Sequence, residues 1–189
     1  MYVDLDRTLI RRSTSTLELR DFIIVNGFVS TILIIFKHKL FSKLKLKTWI
    51  SKQPNNVDYS SEFNPDVISL TQGFKSKGSP VILATASPRI SAERVISQCP
   101  VTFNELISSS DTKNIKGLKK LAEIQKSLEF YKSSEFVYVG DSIADLKIMK
   151  SSAKSYFVGK KLVLLIGRAI YQIPHLSGLH ELNRLDKER

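Results

Sequence analysis

Residues 1–10 read MYVDLDRTLI, and the rest of the chain is organised around this stretch. A short apolar run carries two carboxylates, Asp4 and Asp6, and Thr8 follows them. The pattern is typical of a parallel strand, because open α/β sheets bind ligands at the carboxyl ends of their strands. Two carboxylates two residues apart repel each other unless a cation or a proton lies between them. A solvated surface turn explains these ten residues equally well, so the rest of the chain must decide.

Composition and charge narrow the class of protein. The chain has 189 residues, 42% of them hydrophobic and 25% charged, as expected of one soluble globular domain. The net charge of +11 favours an anionic partner such as a phosphorylated molecule, a nucleic acid or a membrane surface. No nucleic-acid-binding motif accompanies the lysines, which argues against nucleic acid. The single Cys99 excludes an intramolecular disulfide, and without a leader before the first strand we expect a cytoplasmic chain.

The later part of the chain alternates between strand-like and helix-like stretches. Asn64, Pro65 and Asp66 suit the start of a helix, since asparagine caps helices and proline favours the first turn. This helix is expected to end at Gly78. Fully apolar runs such as 81–84 are typical of strands buried on both faces. The predicted strands are 81–84, 103–107, 136–139 and 153–158, and further helices are predicted at 89–98, at 117–128, after residue 140 as far as 149, and at 160–170.

This alternation predicts an α/β fold with a doubly wound, mainly parallel sheet that is covered on both faces. Residues 13–63 do not follow the alternation. We interpret them as a small helical cap inserted after the first strand, so that the core comprises residues 1–12 and 64–189. Residues 53–61, which read QPNNVDYSS, are rich in turn formers and are expected to form a hinge or linker.

The insertion begins with a predicted helix. Polar residues 11–16 can cap a helix that starts near Leu17 and continues toward Phe36. The stretch from Phe22 to Phe36 is mostly apolar, but its 15 residues fall short of the ~18 that a membrane-spanning helix needs. We therefore expect a buried or interfacial helix. The many β-branched residues keep a strand as the alternative.

A basic segment follows this helix. Six lysines lie between Phe22 and Val57, and no acidic residue occurs between Asp21 and Asp58. Three interpretations stay open for residues 22–52: contact with an anionic membrane surface, contact with an anionic substrate, or a helical subdomain whose lysines are solvated. The first would place the chain at the periphery of a membrane.

Polar side chains accompany four of the predicted strand ends. They are Asp4 with Asp6, Thr85 with Ser87, Lys120, and Asp141 with Asp145. Because parallel strands end at one edge of the sheet, these side chains can converge there. The carboxylates of Asp4, Asp141 and Asp145 offer the oxygen ligands that Mg²⁺ prefers. A carboxylate can attack a phosphate monoester and form an aspartyl-phosphate, while a lysine and a hydroxyl hold the other phosphate oxygens.

Four motifs in this order resemble those of the haloacid dehalogenase (HAD) superfamily. VDLDRTLI resembles the first motif, VILATASP the second, Lys120 within NIKGLKK the third, and YVGDSIADL the fourth. The resemblance covers residues 1 to about 158. The chain is most similar to the HAD-like domain found alone or N-terminal to UbiA-type prenyltransferase domains. The resemblance implies the HAD-like Rossmannoid fold.

The resemblance also implies residue roles. Asp4 would be the nucleophile and a Mg²⁺ ligand, and Asp6 the general acid and base. Thr85 and Lys120 would bind the substrate phosphate. The metal site would draw on Asp4, Asp6, Asp141 and Asp145.

Two positions depart from the family pattern or leave a choice open. Arg7 stands where the family usually has glycine, which tolerates backbone angles that arginine does not. The third-motif lysine is Lys120, Lys119 or Lys116, and Gly117 three residues earlier favours Lys120.

The sequence as a whole predicts a Mg²⁺-dependent phosphatase of the HAD type, acting on a phosphorylated small molecule or a lipid-linked phosphate. The alternative is a non-catalytic domain of the same fold that regulates or binds a membrane prenyltransferase. Four chemically competent motifs argue against that alternative.

Overall fold

The fold is built on one parallel sheet. The computed structural model describes residues 1–40, 43–110, 113–159 and 161–179. Its strands are β1 (Tyr2–Val3), β2 (Ile82–Pro88), β3 (Glu105–Ser109), β4 (Val137–Gly140), β5 (Lys154–Phe157) and β6 (Leu176–Gly178). They form a six-stranded sheet in the order β3-β2-β1-β4-β5-β6, with every neighbouring pair parallel.

Helices cover both faces of this sheet. They are α1 (Thr14–Asn26), α2 (Phe28–Lys37), α3 (Lys43–Ser51), α4 (Pro65–Ser76), α5 (Arg89–Gln98), α6 (Leu118–Phe130), α7 (Leu146–Lys150) and α8 (Lys161–Ala169). Two short 3-10 turns lie at Ser60–Glu62 and Ile143–Asp145. Alternate strand residues point to opposite faces. Val3 therefore packs in the core formed with α4 and α5, and Tyr2 in the core formed with α6, α7 and α8. The predicted doubly wound α/β fold is confirmed.

The strand order creates a crevice beside β1. The chain passes from β1 to β2 and β3 on one side, and then returns to β4 on the other side of β1. Connections therefore leave β1 and β4 in opposite directions, which opens a crevice at their carboxyl ends. Asp4 lies at this point, and its N–H donates to the carbonyl of Val139 at 2.9 Å.

The first part of the insertion, residues 14–37, contains two helices where the sequence predicted one. A single helix running to Phe36 is wrong, because α1 ends at Asn26 and α2 begins at Phe28, with a bend of 113° between them. Gly27 makes the bend with a φ of +82°, which glycine adopts without steric cost. The first helix also starts earlier than Leu17, since the Ser13 side chain accepts a hydrogen bond from the Thr16 N–H.

Other predicted elements are confirmed with small shifts in their bounds. The helix that begins at Pro65 ends at Ser76 rather than Gly78. The strand predicted at 81–84 continues to Pro88, because pairing with β3 shifts register after Ala84 and resumes at Pro88. No strand was predicted at β6, which lies beyond the predicted final helix. Residue 160, the first of that predicted helix, and residues 180–189 lie outside the described residues.

A buried network fastens the insertion to the core. The Glu18 carboxylate of α1 accepts hydrogen bonds from Ser91 at 2.8 Å and from Arg94 at 3.2 Å, both on α5. Tyr59 donates to it at 3.4 Å. Arg94 also donates to the carbonyl of Ser51 at the end of α3. This Glu18 network, made of Glu18, Tyr59, Ser91 and Arg94, therefore joins α1, α3 and α5.

Candidate active site

Three acidic side chains meet at the carboxyl ends of β1 and β4. Asp4, Asp141 and Asp145 each offer a carboxylate oxygen, and these three oxygens lie within 4.8 Å of one another. Asp4 and Asp145 are buried and Asp141 is half-buried. We call these three residues the carboxylate cluster. They lie close together because β1 and β4 are neighbours in the sheet.

One buried lysine lies against this cluster. The Lys120 ammonium donates to Asp4 Oδ1 at 2.7 Å and to Asp145 Oδ1 at 3.3 Å. Gly117 precedes α6 with a φ of +59°, and Lys120 follows in the first turn of that helix. A lysine there opposes the helix dipole, a local cost that the two carboxylates offset. Lys116 and Lys119 are exposed, so the structure brings Lys120 to the predicted position.

Burial and neighbouring charges shift the pKa values of the three carboxyls in the carboxylate cluster. Burial, aided by the charge on Asp145, raises the pKa of Asp4 to about 7 even though Lys120 lies beside it. Burial and the same neighbour raise the pKa of Asp141 to about 6. Burial would also raise the pKa of Asp145, but Lys120 and hydrogen bonds from Ser142 and Tyr138 outweigh it and hold that pKa below its usual range. Burial therefore favours the protonated forms of Asp4 and Asp141, whereas Asp145 favours the ionised form beside Lys120.

At Lys120 the neighbouring charges outweigh the effect of burial on the pKa. Burial alone would lower the pKa of Lys120, yet Asp4 and Asp145 outweigh burial and raise it to about 12. Its ammonium also donates to the Tyr138 hydroxyl at 3.0 Å, and that hydroxyl donates to Asp145 at 2.8 Å. Lys120 is therefore a fixed positive charge beside Asp4.

Asp6 lies outside the carboxylate cluster and is held separately. Its Oδ1 accepts from the Thr14 N–H at 2.8 Å, and its Oδ2 accepts from Ser87 Oγ at 2.6 Å and Lys47 Nζ at 3.1 Å. Burial raises the pKa of this carboxyl, but Lys47, Ser87 and Thr14 together lower it below its ordinary value. The predicted acid and base role and the predicted metal contact of Asp6 stay predictions.

Lys47 is the site residue that sequence reasoning missed most clearly. It comes from α3, and its ammonium reaches Asp6 across 41 positions of sequence. No sequence signal separates Lys47 from the other lysines of the basic segment. Ser87 could be recognised as a candidate site residue from the sequence, because it lies in the same strand-end stretch as Thr85.

Arg7 adopts the backbone conformation that glycine usually provides. Its φ is +61°, the left-handed region that side chains with a Cβ rarely enter. The guanidinium reaches over the cluster, with Nε 3.6 Å from Asp141 Oδ2. Arginine at this position therefore brings a partly exposed positive charge next to the carboxylates.

A cavity of about 320 Å³, here called the strand-end cavity, opens over these residues. It is lined by Asp4, Asp6, Thr85, Lys120, Asp141 and Asp145, and also by Ser15 and Lys47 from the insertion. A Cβ at Gly140 would lie 2.8 Å from Tyr138 Cε1 and 3.1 Å from Asp145 Cγ, so a side chain there would displace these two residues. The structure thus brings every predicted site residue to one cavity.

No family model matches the chain. The chain is 30% identical over 158 residues to the uncharacterized protein y4nM of Sinorhizobium fredii. This match covers 82% of the chain but only 29% of that relative, so the chain spans less than a third of the relative's length.

Solved structures share the fold at low sequence identity. A HAD-family hydrolase from Salmonella enterica serovar Typhi superposes with a TM-score of 0.64 at 12% identity, covering 93% of this chain and 65% of that one. A phospho-aspartyl intermediate analogue of phosphoserine phosphatase superposes with a TM-score of 0.57 at 15% identity, covering 97% and 96%. The chain therefore has the fold of HAD-family hydrolases.

Proposed function

We propose that the chain is a Mg²⁺-dependent phosphatase that cleaves a phosphate monoester through an aspartyl-phosphate on Asp4. The observation that carries this proposal is the position of Asp4. It lies buried at the carboxyl end of the central strand, 2.7 Å from Lys120 and beside Asp141 and Asp145. The fold is shared with a phosphoserine phosphatase captured as a phospho-aspartyl intermediate analogue, which supports the same chemistry here.

The donor set fits a hard divalent cation. Asp4, Asp141 and Asp145 offer oxygens within 4.8 Å of one another, and Mg²⁺ prefers carboxylate and water oxygens. The raised pKa values of Asp4 and Asp141 show that these carboxyls resist ionisation unless positive charge is added. Bound there, Mg²⁺ would neutralise charge on the phosphate and on the carboxylates that surround it.

The protein side chains supply the bond-making steps. One oxygen of Asp4 attacks phosphorus, and the bond from phosphorus to the leaving oxygen breaks while that oxygen takes a proton from Asp6. Water then attacks the same phosphorus while Asp6 accepts a proton from the water. The bond between phosphorus and the Asp4 oxygen breaks, which releases phosphate and regenerates the Asp4 carboxylate. Lys120 and the Thr85 hydroxyl hold the phosphoryl oxygens.

Asp6 needs a change of partner before it can donate a proton. In this structure its Oδ2 accepts from Lys47 at 3.1 Å, which favours the ionised carboxylate. Lys47 must therefore move off Asp6 when substrate binds. Since Lys47 belongs to α3, substrate entry is coupled to the position of the insertion, which acts as the cap in this proposal.

Phosphate release from an aryl phosphate tests the proposed function. We expect turnover by the wild type only with Mg²⁺, and its loss in Asp4→Asn. Asp58→Asn is the matched control, because Asp58 is exposed and lies outside the strand-end cavity. Absence of Mg²⁺-dependent turnover across a broad panel of phosphate esters would contradict the proposal and support a non-catalytic domain of this fold. The resemblance to domains associated with prenyltransferases stays a prediction.

A further inference from the structure

The end of α1 and most of α2 present large apolar side chains to solvent. Phe28 is 65% exposed and Leu33 64%, whereas Thr31 is the buried residue of α2. A helix packed on a soluble core normally shows the reverse arrangement. We call the exposed set the apolar face: Ile24, Val25, Phe28, Val29, Ile32, Leu33 and Phe36. A contiguous exposed apolar patch of this kind marks a binding surface.

The charged side chains that border the α2 part of this face are positive, while Asp21 of α1 lies one turn before Ile24 and Val25. Between Phe22 and Val57 the sequence holds six lysines and no carboxylate. Lys37, Lys39 and Lys45 are exposed, and the first two directly follow the apolar residues of α2. A second copy of this chain would bring its own lysines against these, which opposes self-association through the face. An apolar face bordered by lysines is complementary to a bilayer with anionic headgroups.

An apolar groove leads from this face to the strand-end cavity. The groove lies between α1 and α3, has a volume of about 420 Å³, and is lined largely by Leu19, Ile23, Ile24, Leu46 and Ile50. Ile24 belongs also to the apolar face. Ser15 and Lys47 line both the groove and the strand-end cavity. An apolar chain in the groove would therefore place a polar end group next to Lys47 and Asp6.

We propose that the apolar face lies on an anionic bilayer and that the groove receives the apolar chain of a phosphate monoester drawn from it. The substrate class is then a lipid monophosphate. This inference rests on the proposed function for the chemistry, while the membrane contact stands on the apolar face and its lysines. Among the described residues no single helix is long and apolar enough to cross a membrane. The pair α1 and α2 has the length and composition of a membrane-spanning segment, but the two helices meet at a bend of 113°.

Vesicle co-sedimentation of the full chain tests the membrane contact. We expect binding to vesicles of phosphatidylcholine with phosphatidylglycerol, and much weaker binding to phosphatidylcholine alone or at high salt. Phe28→Ser with Leu33→Ser should abolish the binding. The matched control is Phe130→Ser with Leu162→Ser, since these residues are 78% and 67% exposed but lie on α6 and α8. Unchanged binding by the first pair, or no binding by the wild type, would overturn the proposal.

The dependence of KM on the length of the substrate's alkyl chain tests the proposed role of the groove. We expect a lower KM for dodecyl phosphate than for butyl phosphate in the wild type, and no such difference in Ile23→Asn, whose fold is checked by circular dichroism. Equal KM values for both esters in the wild type would overturn the lipid assignment. Vesicle binding without turnover of any phosphate ester would instead overturn the proposed function and leave the membrane contact standing.

Discussion

Two buried groups of charged side chains differ in how their charges are balanced. In the Glu18 network, one carboxylate is matched by one guanidinium, and the hydroxyls of Ser91 and Tyr59 complete its hydrogen bonds. In the carboxylate cluster, Asp4, Asp141 and Asp145 share one buried lysine, with Arg7 approaching from the exposed side.

The difference separates a structural role from a chemical one. A buried ion pair with satisfied hydrogen bonds fixes the positions of the elements that it joins. Carboxylates that outnumber their buried cations cost free energy in the free protein, and such sites are candidates for ligand binding. A cation bound at the cluster would therefore match the remaining carboxylate charge, and a phosphate would meet that cation and Lys120.

The largest expected effect comes from removing the shared cation. Lys120→Met leaves the carboxylates without it, and we expect a loss of about 3–5 kcal/mol in the free energy of unfolding. Turnover should fall about 100- to 1,000-fold, because a fixed charge on the phosphoryl oxygens is lost. Mg²⁺ should restore part of the stability, as measured by denaturant unfolding with and without the ion.

The neighbouring lysine supplies the control for that change. Lys119→Met alters an exposed residue of the same helix and should change stability by less than about 0.5 kcal/mol. A Lys120→Met protein as stable as this control would show that the cluster does not depend on the buried lysine.

Substitutions in the Glu18 network should lower the free energy of unfolding by an amount that does not depend on Mg²⁺. Glu18→Ala leaves Arg94 without its carboxylate, and we expect a loss of about 3 kcal/mol in the free energy of unfolding. Glu18→Gln keeps an acceptor for Ser91 and Arg94 and should cost about 1–2 kcal/mol. The same denaturant unfolding should show no restoration by Mg²⁺, and restoration would contradict the division between the two groups.

The pH dependence of Glu18 has a definite sign. Burial raises the pKa of Glu18 above 4.5, and the hydrogen bonds from Ser91 and Arg94 only partly oppose this. The folded state then binds the proton more tightly than the unfolded state does. The resulting stability is present below pH 4.5 and is lost as the pH rises through the folded-state pKa.

Melting temperatures from about pH 4 to about pH 8 measure this sign. Relative to the wild type, Glu18→Gln should become more stable as the pH rises, because glutamine does not titrate. Glu93→Gln, at an exposed position of α5, controls for the change in net charge. A stability difference that moves the other way would show that Arg94 dominates over burial at Glu18.

The smallest effect is expected at Arg7. Arg7→Gly removes the steric strain of a side chain at a φ of +61°, but glycine also gives the unfolded chain more conformational entropy. Because these effects oppose each other, the free energy of unfolding should change by less than about 1 kcal/mol. Losing the charge beside Asp141 should tighten Mg²⁺ binding, as measured by titration calorimetry. Lys132→Gly is matched in backbone, with a φ of +51°, and should leave Mg²⁺ affinity unchanged. Equal affinities in all three proteins would remove Arg7 from the charge balance.

The carboxylate cluster could be predicted from the sequence, because a general rule of sheet topology fixes the edge at which its residues lie. Parallel strands end at one edge, so Asp4 and Asp141 come together once the alternation of strands and helices is recognised. The surroundings of Asp6 could not be predicted in the same way. Its contacts with Lys47 and Ser87 depend on how the insertion packs against β2, which no local pattern encodes.

The structure of the insertion could likewise not be predicted fully from local sequence patterns. Hydrophobicity predicted helical structure from Leu17 to Phe36, but Gly27 turns the chain there and separates α1 from α2. The Glu18 network was missed for a related reason. A glutamate within a helix is usually solvated, and its burial follows only from contacts with α5 far along the chain.

The central claim is that Asp4 carries the phosphoryl group during turnover. Acid quenching with a radiolabelled aryl phosphate, followed by peptide mapping, tests it most directly. We expect a hydroxylamine-labile phosphoryl group on the peptide that contains Asp4, formed only with Mg²⁺ and absent in Asp4→Asn. Turnover with the label on a different peptide, or label retained in Asp4→Asn, would show that Asp4 does not carry the phosphoryl group.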